Sequence, residues 1–119
     1  MTLRDFGRFG QMCLNSGLAN GRSVVPNWWI RDMRQNGDQN AWDAGNFAEF
    51  MPNWRYRSKW YISSTGVYAG LGVFGQFLYI DPAADVVIAR FSSRPKALDP
   101  TDKDSSFLAY EAICELLNH

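Results

Sequence analysis

The chain has 119 residues, enough for one domain or part of one. Its 12 basic and 12 acidic residues cancel, so no long-range field draws nucleic acid or an anionic membrane surface. Five Trp, eight Phe and five Tyr demand burial and exclude a disordered chain, and no apolar run approaches the roughly 20 residues that cross a bilayer.

Thr2 followed by Asp5 reads as a helix N-cap with an acid in the first turn. Leu3, Phe6, Phe9, Cys13 and Leu14 then recur at helical spacing, and Gly17 stops the helix. Gly7 and Gly10 weaken it intrinsically and make sense where another backbone packs close. Asn20-Gly21 marks a tight turn, and Pro26 opens a second helix with Trp28, Trp29, Ile30 and Met33 on its apolar side. Residues 38–57 show no sustained period. They read as a long loop, unusual in carrying Trp42, Phe47, Phe50, Trp54 and Tyr56.

Residues 58–92 change character. Three antiparallel strands are predicted, at Lys59–Ser63, Leu71–Ile80 and Val86–Phe91, the last two apolar on both faces. A C-terminal helix is predicted over 102–118, with Phe107, Tyr110, Ile113, Cys114 and Leu117 as its stripe. The fold class is α+β: two helices ending a helical region (1–37), an aromatic loop, three strands and a helix. One helix covers one sheet face at most, so the chain is expected to need an N-terminal portion, or a homo-oligomer mate, to complete the sheet. No basic, apolar leader precedes the first helix, which leans the compartment to cytoplasm over periplasm, although Met1 can equally be internal to a longer frame.

Several local signals have bland readings. Cys13 and Cys114 lie within apolar helical patterns and read as buried free thiols. Gly70 to Gly75 matches G-x-G-x-x-G, but a strand pattern runs through it where a dinucleotide site needs a helix, so no cofactor is expected. Arg55 to Trp60 mixes bases with rings, which zero net charge makes a solvated face rather than a nucleic-acid site. His119 is the only histidine, and no Cys/His cluster suggests a metal.

Three stretches carry a resemblance. Met1 to Gly10, continued by Asn20-Gly21 and Val24-Val25-Pro26, looks like a late helix of the β-lactamase-like serine hydrolases. Tyr68 to Gln76 resembles the approach to the strand lining their active site, and Tyr79-Ile80-Asp81-Pro82 through Ile88 resembles the hairpin after it. Order and spacing make the resemblance specific to this superfamily, and Gly72-Val73-Phe74-Gly75-Gln76 with the aromatic loop tilts it towards 6-aminohexanoate-dimer hydrolases.

The resemblance implies a C-terminal segment of an enzyme that cleaves amides or esters through an acyl-serine intermediate. It places Val73-Phe74-Gly75 at the third family motif, with the Gln76 N–H as one arm of the oxyanion hole and Gly75 leaving room for substrate. Val73, Phe74, Trp42 and Trp54 are then candidate substrate-binding residues. Neither the lysine nor the threonine common in that motif is kept, which favours a small neutral or differently charged amide or ester over a β-lactam. Ser93-Arg94-Pro95-Lys96 matches Ser-x-x-Lys, but Pro95 interrupts it and no helix pattern continues from it. The nucleophile is therefore expected outside these residues and the chain alone inactive. The alternative is a non-catalytic, truncated binding or interaction module that uses the aromatic loop.

Overall fold

The computed structural model describes residues 1–118; His119, weighed above as a metal ligand, lies outside the described residues. The Thr2 hydroxyl accepts from the Asp5 N–H at 3.1 Å and starts α1 (Leu3–Leu14). Gly17, at φ 92, lets its N–H reach the Met12 carbonyl and closes that helix. Asn20 and Gly21, both left-handed, fold β1 (Leu18–Ala19) against β2 (Arg22–Ser23). Pro26 then leads into α2 (Asn27–Gln35).

The α+β class predicted from sequence is the one observed, but the strand count differs. β3 (Arg55–Arg57), β4 (Trp60–Ile62), β5 (Tyr68–Gly72), β6 (Gln76–Asp81) and β7 (Val86–Arg90) form one five-stranded antiparallel sheet in chain order. The predicted strand Leu71–Ile80 is in fact two, because Phe74 (φ 63) and Gly75 (φ 89) reverse the chain between β5 and β6. The predicted loop 38–57 contains α3 (Gln39–Ala44), capped by the Asp38 carboxylate on the Ala41 N–H at 3.1 Å, and all of β3. Six and three residues are too few to show a period. α4 (Pro100–Leu117) is capped by Asp99 and has Pro100 in its first turn.

The alternation along β6 divides the core. Leu78 and Ile80, with Tyr68, face Met12 and Cys13 of α1 and Ile30 and Met33 of α2. Phe77 and Tyr79, with Ala69, face Phe107, Tyr110 and Cys114 of α4, closed by Met51 from the aromatic segment. The expectation that one sheet face lacks cover is therefore wrong: the two N-terminal helices supply the second layer. Gly10 shows how closely. A Cβ there would lie 2.6 Å from Val87 Cγ1 and 2.9 Å from Leu78 Cδ1, whereas one on Gly7 meets nothing within 4 Å. The sheet keeps two open edges: among the described residues β3 pairs only with β4, and β7 only with β6. Cys13 and Cys114 are buried and free, and burial pushes both thiols up to about 11.

Candidate active site at the β5–β6 turn

The register pairs Gly72 with Gln76, leaving Val73, Phe74 and Gly75 as a three-residue turn. A left-handed phenylalanine costs about 1–2 kcal/mol, so the surroundings must hold it. They do so through the segment after β7. The Phe74 N–H donates to the Ala97 carbonyl at 3.0 Å, and the Arg94 N–H donates to the Phe74 carbonyl at 3.0 Å. The Gln76 side-chain amide donates to the Ser92 carbonyl and accepts from the Ser92 N–H at 2.9 Å. Arg90 Nε donates to the Gly75 carbonyl at 2.9 Å. A peptide unit is planar and trans, so fixing that carbonyl also fixes the direction of the Gln76 N–H.

Arg90 anchors this arrangement. Its guanidinium lies over the Phe77 ring, 4.4 Å from the centroid, donates to Ser106 Oγ at 2.6 Å and pairs with the buried Asp102 carboxylate. Arg94 reaches the same carboxylate at 2.9 Å from a half-exposed position. Burial alone would lower the pKa of Arg90, but the hydrogen bond and charge of Asp102 outweigh it and hold the group above its usual value. A Cβ on Gly75 would lie 2.6 Å from Arg90 Nη2 and 2.9 Å from Arg94 Cγ. The arginines behind it and its own positive φ thus favour glycine here, independently of the substrate clearance expected from the sequence.

Beside the turn lies a cavity of about 180 Å³. Val73 and Gly75 line it; Phe74 and Gln76 do not. Trp42 and Trp54 lie elsewhere. Trp42 donates through Nε1 to the Met51 carbonyl at 3.0 Å and borders a separate hollow with Ala41 and Tyr56, while Trp54 leans on Phe107 at 5.7 Å between centroids. The aromatic segment does reach the cavity, but through Phe47 and Phe50, joined by Tyr61. Arg94, Lys96 and Lys103 bring charge to it; the sequence marks Arg94 and Lys96 only as part of the Ser-x-x-Lys string, and Lys103 not at all. Ser93 to Lys96 sit in irregular chain after β7, outside any helix. Val73 and Gly75 N–H groups have no acceptor among the described residues, while Gln76 stands in the β5–β6 ladder.

The beta-lactamase family model matches residues 1–111. The chain belongs to the beta-lactamase family. Within it, the chain is 34% identical over 96 residues to a 6-aminohexanoate-dimer hydrolase of Paenarthrobacter ureafaciens, a match covering 79% of this chain and 24% of that protein. A solved structure described as "Putative 6-aminohexanoate-dimer hydrolase from Bacillus anthracis" superposes with a TM-score of 0.78 at 33% identity, over 98% of this chain and 29% of the other. The chain thus spans about a quarter of the length of these relatives. Its sheet and helices form part of a beta-lactamase-like fold.

Among the described residues no group of three or more His, Cys, Asp or Glu could hold a metal ion. The glycine run 70–75 passes through a strand and a turn, with no helix after it to receive a pyrophosphate. No helix among the described residues is long and apolar enough to cross a membrane.

Proposed function

We propose that this chain supplies the oxyanion arm and part of the pocket wall of a serine hydrolase that cleaves a small amide or ester, in the manner of the 6-aminohexanoate-dimer hydrolases it resembles. The observation that carries this reading is the turn at 73–76: a strained backbone held by five hydrogen bonds from Arg90, Ser92, Arg94 and Ala97, with two N–H groups left without acceptors. A donor preorganised in this way strengthens as an attacked carbonyl becomes an oxyanion. One such donor lowers the barrier by about 3–4 kcal/mol. The Gln76 N–H named from the sequence and the Val73 N–H, one residue past the end of β5, are the two candidate donors.

In this reading a serine outside residues 1–119 attacks the carbonyl, the tetrahedral oxygen settles against the turn, and the acyl-serine ester is then hydrolysed. The same reading assigns the open edge of β7 to the remainder of the enzyme, which adds strands there. Coverage of a quarter of each relative favours that assignment over a second copy of this chain.

The test is acyl transfer from an aryl ester, followed by intact-mass measurement. The chain alone should show neither turnover nor an acyl adduct, and the same chain extended by its native upstream coding sequence should show both. An adduct on Ser93 or any other serine of the 119 residues, or no adduct on the extended protein, overturns the reading. The second reading, a truncated non-catalytic binding module, draws support from the closure of both sheet faces by the chain's own helices. It predicts a stable monomer and no acyl adduct in either form.

A further inference from the structure

The end of the sheet away from the β5–β6 turn carries a second cleft. β6 runs from Gln76 at the turn to Asp81, so at about 3.4 Å per residue this end lies about 17 Å from the candidate oxyanion site. Here the β4–β5 turn, the β6–β7 turn, residues 52–54 and the last turns of α4 border a space of about 530 Å³. That is room for roughly 18 water molecules at ~30 Å³ each.

The cleft is acidic. Asp81, Glu111 and Glu115 line it, and no Lys or Arg does among the described residues. Secondary structure uses only part of this charge. The Asp81 carboxylate accepts the Ala84 N–H at 3.2 Å and closes the β6–β7 turn. Glu111 and Glu115 stand four apart on α4, a spacing at which like charges repel. Glu115 is also in the last turn, where the helix dipole disfavours an anion and no basic residue offsets it. None of the three carboxylates forms an ion pair among the described residues.

Tyr79 points the same way. It is 2% exposed and lines the cleft, yet its hydroxyl has no hydrogen-bond partner among the described residues. Burial, and then the charges of Cys114, Glu111 and Asp81, raise its phenol above the usual tyrosine value, so the hydroxyl stays protonated beside those groups. A largely buried hydroxyl without a partner is costly, and a bound donor would relieve it. The carboxylates do not converge on a point, since no three of them could hold a metal ion among the described residues. An extended organic cation fits better: separated ammonium groups meet separated carboxylates, and the methylenes between them lie against the rings of Trp54 and Tyr79.

We propose that this cleft is a binding site for a short α,ω-diamine. One ammonium donates to the Tyr79 hydroxyl and sits between the carboxylates of Asp81 and Glu111. The other pairs with Glu115, one helical turn or about 6 Å further along α4. The site takes no part in acyl transfer and does not depend on the hydrolase reading.

The experiment is a titration of the 119-residue chain with butane-1,4-diamine, butan-1-amine and magnesium chloride in turn. The readout is the backbone amide NMR signals of Ser63 to Thr65, Asp81, Ala84 and Glu111 to Asn118. The diamine should shift these signals saturably and leave those of Val73 to Gln76 in place. Its dissociation constant should be at least fivefold below that of butan-1-amine and should rise as salt is added. Magnesium at the same concentration should not displace it. Tyr79→Phe removes only a hydroxyl without an internal partner, and Glu115→Gln changes an exposed position. Each should weaken diamine binding fivefold or more, whereas Asp5→Asn, on α1 and outside the cleft, should leave it unchanged. No saturable shift, equal affinity for the monoamine, displacement by magnesium, unchanged affinity in either cleft variant, or shifts centred on Val73 to Gln76 each overturn the proposal. The protein extended by its upstream coding sequence should bind the diamine equally well. Loss of binding there would mean that the remainder of the enzyme fills the cleft with a cation of its own, which also overturns it.

Discussion

Replacing Arg90 by Met removes the guanidinium that holds the turn but keeps an unbranched apolar stem against Phe77. Three contacts disappear: those to the Gly75 carbonyl, Ser106 Oγ and Asp102. The side chains of Arg90 and Asp102 are 20% and 7% exposed, so the pair is largely desolvated. Removing one partner of such a pair costs about 3–5 kcal/mol, chiefly because the other charge is left buried. Here Asp102 keeps Arg94, whose side chain is 51% exposed and whose bridge is worth about 0–1 kcal/mol. The expected loss is therefore near the lower bound, about 3 kcal/mol, read as a fall in the midpoint of urea unfolding followed by tryptophan fluorescence. The double variant Arg90→Met with Asp102→Leu removes the stranded carboxylate and should recover most of that loss, because an apolar pair can replace a buried ion pair at little cost. A single variant within about 0.5 kcal/mol of the native protein would refute the reasoning. So would a double variant as unstable as the sum of its parts.

The two glycines of α1 should respond oppositely. Gly10→Val overfills the contact with Val87 and Leu78 and should cost about 1–3 kcal/mol, while Gly7→Ala meets no neighbour and should add about 0.5–1 kcal/mol, both by urea unfolding. Cys13 and Cys114, held near 11 by burial, should resist Ellman's reagent at pH 8 in the native protein and react fully in denaturant; rapid native reaction contradicts the burial of α1 and α4. Burial also raises the phenols of Tyr61, Tyr68 and Tyr79 above the usual tyrosine value. They keep their protons in the native state after the unfolded chain has released them, so stability should be intact below about pH 10 and fall above it. Ultraviolet titration should accordingly show fewer than the five phenolates of the sequence until the chain unfolds, and five phenolates in a protein with native circular dichroism would contradict it.

Much of the fold was legible because its signals were local. The cap at Thr2, the turn at Asn20-Gly21 and the apolar stripe of α4 each depend on residues a few positions apart. The turn at 73–75 was not legible. Phe74 adopts a conformation that its residue type disfavours, and it is held there by Ala97 and Arg94, some 20 residues downstream. Leu71 to Ile80 therefore reads as one strand, and the steric demand of Arg90 on Gly75 has no trace in the local sequence. The second covering layer was missed for a related reason. The pattern of α1 shows that it has an apolar side, but not that Gly10 brings this side onto β6 and β7. The aromatic segment reads from sequence as a pocket wall, but nothing local separates Trp42 and Trp54 from its other rings. Phe47 and Phe50 are the residues that the backbone between α3 and β3 carries to the cavity beside the β5–β6 turn.

The central claim is that the turn at 73–76 receives the oxyanion while the attacking serine comes from outside these residues. A crystal structure of the protein with its upstream coding sequence restored, inactivated by an alkylphosphonate that mimics the tetrahedral intermediate, tests it directly. The account predicts phosphorus bonded to a serine beyond the 119 residues and a phosphonyl oxygen about 2.7–3.1 Å from a backbone N–H of that turn. Phosphorus on a serine within this chain, or a phosphonyl oxygen held only by donors elsewhere, would contradict it.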